Sequence, residues 1–160
     1  MNAIVDVSNV VLETKRLILR PWAEKDLEDF YEYAKVDGVG QMAGWNPHKS
    51  IHESRHILNL FLEEKKTFSI QLKETSKVIG SVGLEMLSVD LGHPYTNQKG
   101  REVGYVLSRE YLGLGIMPEA VKGVVQYYFN QEHYDFLQCS HSLSNSQSQR
   151  VIEKCGFAFV

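Results

Sequence analysis

The chain has 160 residues, enough for one domain with a sizeable buried core. It is 43% hydrophobic and 23% charged, as an ordinary globular protein is, and its net charge of −3 comes with no dense Lys/Arg stripe, which disfavours a nucleic-acid partner. Two cysteines, Cys139 and Cys155, are too few for a disulfide framework and point to a reducing, cytoplasmic setting; no apolar run is long enough to span a membrane and no signal-peptide pattern opens the chain, so no membrane partner is expected.

Residues 1–11 carry no turn signal and no evident partner and read as an N-terminal extension, ahead of a single domain over 12–160. Leu17–Trp22 alternates like a strand that ends near Pro21. Glu24–Ala34 places Leu27, Phe30, Tyr31 and Ala34 at helical spacing, and Val36–Lys49 is a glycine-containing loop that holds Met42 and Trp45. Ser50–Lys65 is a second helix with Ser50 as N-cap and Glu53 three residues on, a capping box. Thr67–Leu72 and Val78–Leu87 are two strands joined at Glu74–Lys77, and a polar loop over Val89–Gly100 leads to a strand at Arg101–Leu107. Met117–Phe129 is a helix with the apolar stripe Met117, Ala120, Val121, Val124, Val125 and Tyr128. Phe136–Ser140 is a strand, Asn145–Cys155 a short helix that Gly156 can close, and Phe157–Val160 begins another strand. The order β-α-α-β-β-β-α-β-α-β makes an α/β layered fold (α+β type) with a mixed sheet; three consecutive strands argue against a doubly wound parallel one.

The segment Leu107–Ala120, LSREYLGLGIMPEA, carries the most chemistry. A strand runs into Gly113 and Gly115, and a helix starts at once with no Ser, Thr, Asp or Asn at its expected N-cap, Ile116 or Met117. Its first amides then lack a side-chain partner, glycines let backbone approach a ligand, and a helix N-terminus favours negative charge. The pattern fits a phosphate or pyrophosphate seat; an isolated G-x-G also fits a tight turn with no ligand. It is not a P-loop, because no Lys follows either glycine, nor a dinucleotide fingerprint, because Pro118 stands where the third glycine belongs.

Three segments in this order, ETKRLILRPW, REVGYVLSREYLGLGIMPEA and NSQSQRVIEKCGF, resemble the GNAT superfamily of acetyl-CoA-dependent N-acetyltransferases, most closely its RimJ/RimL-like branch. The resemblance implies a mostly antiparallel central sheet flanked by helices and acetyl-CoA as co-substrate, without a metal. It also implies transfer to a primary amine, either a protein N-terminal α-amine or a small molecule, with a homodimer as a further partner expectation. Cofactor contacts then fall on Val106, Leu107, Leu112, Gly113, Leu114, Gly115, Ile116, Met117 and Asn145, and acceptor contacts on Met42, Trp45 and Glu85. Leu112 replaces a common Trp, Ile116-Met117-Pro118 replaces Tyr-Ala-Thr, and Ile152 stands where many members carry a Tyr acid. Family members continue past the position of Val160 into another strand, so a chain lacking that strand is expected.

The family reaction is direct attack of an amine on a thioester, which needs a base for the ammonium proton and a donor for the oxyanion. Glu102, at the start of the strand feeding the glycine turn, is the first candidate base; a solvated strand-end carboxylate reads the same. Glu85 is the second and could instead bind the acceptor ammonium. The resemblance gives Ser148 the role of protonating the leaving thiolate and Asn145 that of bonding the pantetheine arm; both also suit helix capping. Trp45 and Met42 suit an acceptor pocket or simple core. His52-Glu53-Ser54-Arg55-His56 fits H-E-x-x-H, the zinc hydrolase pattern, but its face also carries Arg55, Asn59 and Glu63 and is expected to be solvated. Cys139 and Cys155 read as small core residues, and His141 as a further titratable candidate. A catalytically weak acyl-CoA sensor is the non-enzyme alternative, separated by turnover.

Overall fold

Alternation along Leu17–Pro21 (β2) sets the two faces of the sheet: Leu17 and Leu19 are fully buried on one side, and Ile18 and Arg20 take the other. In the computed structural model, which describes residues 1–141 and 144–160, β2 lies between Leu12–Glu13 (β1) and Thr67–Leu72 (β3). Val78–Glu85 (β4), Gly100–Leu107 (β5) and Phe136–Gln138 (β6) complete a six-stranded sheet in the order β1 to β6. Every neighbouring pair is antiparallel except β5 and β6, which are parallel. The expected mixed, mostly antiparallel sheet is present.

The first face packs Leu19, Phe68, Ile70, Val82, Leu84 and Val103 against Met117, Ala120, Val121, Val124 and Tyr128 of Ile116–Asn130 (α3). These residues are the expected stripe of α3. On the second face, Leu27–Ala34 (α1) and Ile51–Glu64 (α2) form a smaller core with Trp22, Phe30, Tyr33, Leu58 and Val78. Ser50 caps α2 through the Glu53 amide, while the Glu53 carboxylate takes the Lys49 amide at 2.8 Å, one residue earlier than a capping box requires. Arg20 crosses the second face to grip Asp26, itself 3% exposed, with two bonds of 2.8 Å.

Two expectations are corrected. Residues 1–11 are part of the same body: Asn2 bridges Gly100 in parallel, the Ala3 amide donates to Gly100, the Val7 amide donates to Lys65, and Ala3 and Val7 are buried in the main core. Backbone pairing holds this segment where β4 leaves β5, so it needs no hydrophobic period of its own to be ordered. The strand expected at Phe157–Val160 does not form among the described residues. Gly156 closes Ser146–Lys154 (α4) with φ +82°, the Phe157 amide donates back to Ile152, and Phe159 and Val160 are exposed, with no ladder partner.

Candidate active site

β5 and β6 pair over only three positions, Gly100–Glu102 against Phe136–Gln138. β5 then continues to Leu107 without β6, and its residues change from buried at Glu102 and Val103 to half-buried from Gly104 to Leu107. A strand one place from the sheet edge therefore exposes backbone along the side that its neighbour has left. Val106 and Leu107, expected cofactor contacts, lie at the end of this open stretch, facing the second and first cores respectively.

The chain next turns through Leu112–Gly115 into α3. Gly113 and Gly115 adopt φ of +77° and +75°, the left-handed region that glycine enters without a Cβ penalty. The N-cap of α3 is Gly115, one residue before the expected Ile116, and it makes no side-chain cap bond. Among the described residues, the amides of Gly113, Leu114, Gly115, Ile116 and Met117 have no acceptor. Leu112 and Leu114 are exposed on the turn, while Ile116 and Met117 anchor it in the main core. The turn thus presents backbone donors and the positive end of a fifteen-residue helix, an arrangement that suits an anion.

Arg16, which sequence reasoning missed, holds this turn from the β1–β2 connection. Its Nε meets Glu119 at 2.8 Å, and its Nη1 donates to the Leu114 carbonyl at 2.9 Å. Glu119 also accepts from Thr14 and the Arg16 amide; burial raises its pKa, but these bonds and the guanidinium outweigh that and keep it below the ordinary range. The partners are 103 residues apart, and nothing in local sequence marks them.

Glu85 and Glu102 are directly opposed on β4 and β5, so both carboxylates share the second face of the sheet. Lys66 pairs with Glu85, whose side chain is 45% exposed. Glu102 is 8% exposed and is not a solvated strand-end carboxylate. Its Oε2 accepts from the Ser88 amide at 3.0 Å, the Ser88 hydroxyl and Gln138 Nε2 at 2.9 Å, and its Oε1 accepts from the Ser140 hydroxyl. Burial raises its pKa, and the four hydrogen bonds more than reverse this, leaving it below the ordinary carboxylate value. A carboxylate held so is a fixed negative charge and a weak proton acceptor. Two positions along the ladder from the acids, Gly83 faces Gly104, and the Glu85 side chain lies over both: a Cβ on Gly83 would come within 2.8 Å of Glu85 Oε1, and one on Gly104 within 3.5 Å of Glu85 Cγ.

The 3-10 turn Gly40–Ala43 packs against β5, which brings the loop of Trp45 to this side; the side chain of Met42 lies outside those described. The Trp45 ring is half-buried on Gly40 and stacks with His48 at 5.0 Å. Across the first face, the Asn145 side chain caps α4 by accepting from the Ser148 amide at 3.0 Å. Ser148 is buried, and its hydroxyl lies 2.6 Å from the hydroxyl of Tyr105, a β5 residue that sequence reasoning passed over.

Cys139 packs beside Tyr105, its thiol pushed up to about 12 by burial, and Cys155 is half-buried against α3, so neither is an activated nucleophile. His52 and His56 are exposed on the outer face of α2 with Glu53 engaged at the cap. Among the described residues no three His, Cys, Asp or Glu side chains group to hold a metal, and no helix is long and apolar enough to cross a membrane.

The family described as the acetyltransferase (GNAT) domain matches residues 16–158. An uncharacterized N-acetyltransferase p20 of Bacillus licheniformis is 27% identical over 151 residues, covering 91% of this chain and 81% of that protein. Among solved structures, a GNAT-family acetyltransferase from Bacillus anthracis aligns with TM-score 0.80 and 22% identity over 93% of this chain and 84% of its own. A putative ribosomal-protein-serine acetyltransferase from Vibrio cholerae aligns with TM-score 0.74 and 18% identity over 94% and 84%. With the family match spanning nearly all of the sheet, the divergent β5–β6 pair and the glycine turn, this chain belongs to the GNAT acetyltransferase family.

Proposed function

We propose that the protein moves the acetyl group of acetyl-CoA to a primary amine by direct attack, as a RimJ/RimL-like enzyme of the cytoplasm. The observation that carries this reading is the row of unpaired amides at Gly113–Met117 beside the open stretch of β5. In it, the turn Leu112–Met117 seats the pyrophosphate, and Val106, Leu107 and Asn145 border the pantetheine arm. The acceptor enters beside Glu85, with Glu85, Trp45 and Met42 around its ammonium. Glu102 is the base, acting through water, and Ser148 donates to the leaving thiolate. The four hydrogen bonds on Glu102 limit its contribution to the low end of general-base catalysis, about 10²-fold.

The likeness to a ribosomal-protein-serine acetyltransferase makes peptides with free N-termini the first acceptors to try, ahead of polyamines and aminoglycosides. CoA should raise the melting temperature by mass action, and free thiol should be released from acetyl-CoA only when an acceptor is added. No shift with millimolar CoA removes the reading. A shift without turnover on any amine favours the acyl-CoA sensor, which the saturated Glu102 and the absence of a Tyr at Ile152 also support.

A further inference from the structure

We propose that Tyr105 is a positioning residue that aims the Ser148 hydroxyl at the departing sulfur, a task carried by strand β5 rather than by α4. The inference rests on the acetyl-transfer reading above and names a group that it lacks. Val103 and Tyr105 project from β5 onto the first face, and β6 has already left the ladder at Glu102. The Tyr105 hydroxyl therefore stands across the opening from the first turn of α4. It lies 2.6 Å from Ser148 Oγ and 3.2 Å from the Ser148 carbonyl oxygen.

One phenolic hydrogen faces both Ser148 oxygens, with the Cys139 thiol as a further side-chain partner. Directed at the carbonyl, it would leave Ser148 to spend its own hydrogen on the Tyr105 oxygen. Directed at Oγ, the shorter contact, it leaves the Ser148 hydrogen to face the gap and polarises it, since hydrogen bonds in a chain strengthen one another. Burial raises the Tyr105 pKa, so the phenol stays protonated and remains a donor. Asn145 holds the Ser148 amide from the other end. Helix capping accounts for that bond, but not for a half-buried phenol on the hydroxyl. The Cys139 thiol nearby is pushed up to about 12, so no resident thiolate competes for the hydroxyl.

In the step itself, the amine nitrogen bonds to the acetyl carbon as the C–S bond breaks, and the electron pair goes to sulfur. Sulfur takes the Ser148 proton, Ser148 recovers one from water, and the proton lost by the amine goes to water or to the base. Tyr105 keeps its proton throughout.

The test is a double-mutant cycle of Tyr105→Phe and Ser148→Ala on amine-dependent thiol release from acetyl-CoA. Tyr105→Phe should lower kcat about tenfold, the worth of one hydrogen bond, with the KM for acetyl-CoA and the CoA thermal shift unchanged. The double variant should be no slower than Ser148→Ala alone. Losses that multiply, or a Tyr105→Phe variant with wild-type kcat, overturn the inference. A purely packing role would appear as a lower melting temperature and raised KM, and would also overturn it. Absence of both a CoA shift and thiol release in the wild type would instead remove the acetyl-transfer reading, and this inference with it.

Discussion

Replacing Glu102 with Gln tests the most heavily bonded carboxylate of the site. Three donors reach Oε2 and one reaches Oε1. Net hydrogen bonds to a charged group are worth about 1.5–3 kcal/mol and neutral ones about 0.5–1.5 kcal/mol, so neutralising the acceptor weakens each of the four. The Ser140 hydroxyl can turn to accept from the new amide, which spares one of them. A loss of about 2–4 kcal/mol at neutral pH follows. The loss must depend on pH. The folded pKa of Glu102 lies below its unfolded value, so its contribution is fully present above the unfolded pKa of about 4.3 and disappears as pH falls through the folded value. Urea unfolding of both proteins from neutral to strongly acidic pH should show their difference closing only at the acid end. Equal stabilities at pH 7, or a gap that stays constant into acid, refute the charged array. Turnover should fall about 10²-fold at neutral pH, and less at high pH where the acceptor amine is already neutral. Unchanged turnover moves the base elsewhere, with Glu85 the next to replace.

Gly115→Val forces a β-branched side chain into φ +75°, and the CoA-induced rise in melting temperature should disappear while the fold persists by circular dichroism; a full shift means that the turn is not the seat. Arg16→Ala frees both the Leu114 carbonyl and Glu119, and calorimetry should find weaker CoA binding, with Glu119→Gln adding less than its own separate effect; additive losses dissociate the pair from the turn. Asp26→Ala strands the Arg20 guanidinium in a largely buried site and removes the acceptor of the Ala23 amide, so denaturant midpoints should report a loss of about 3–5 kcal/mol, and less than 1 kcal/mol contradicts the burial argument.

Much of this protein was legible from neighbours along the chain. The period-2 run of β2, the stripe of α3, the Ser50 cap and the two glycines before Ile116 each depend on residues within a few positions of one another. The torsions and local periods that encode them do not wait for the rest of the fold. Tertiary structure decided which polar groups meet. Glu102 receives Ser88 from 14 residues away and Ser140 from 38, and Tyr105 reaches Ser148 across 43. Arg16 reaches Glu119 across 103, and residues 1–11, which have no period of their own, are ordered by backbone pairing with Gly100. Such pairings are set by strand register and by where β6 parts from β5, which only closure of the sheet determines. The chemistry of a single residue type cannot announce its partner: Glu102 reads as a solvated acid or a base until the donors around it are known, and their number makes it a buried, firmly held anion.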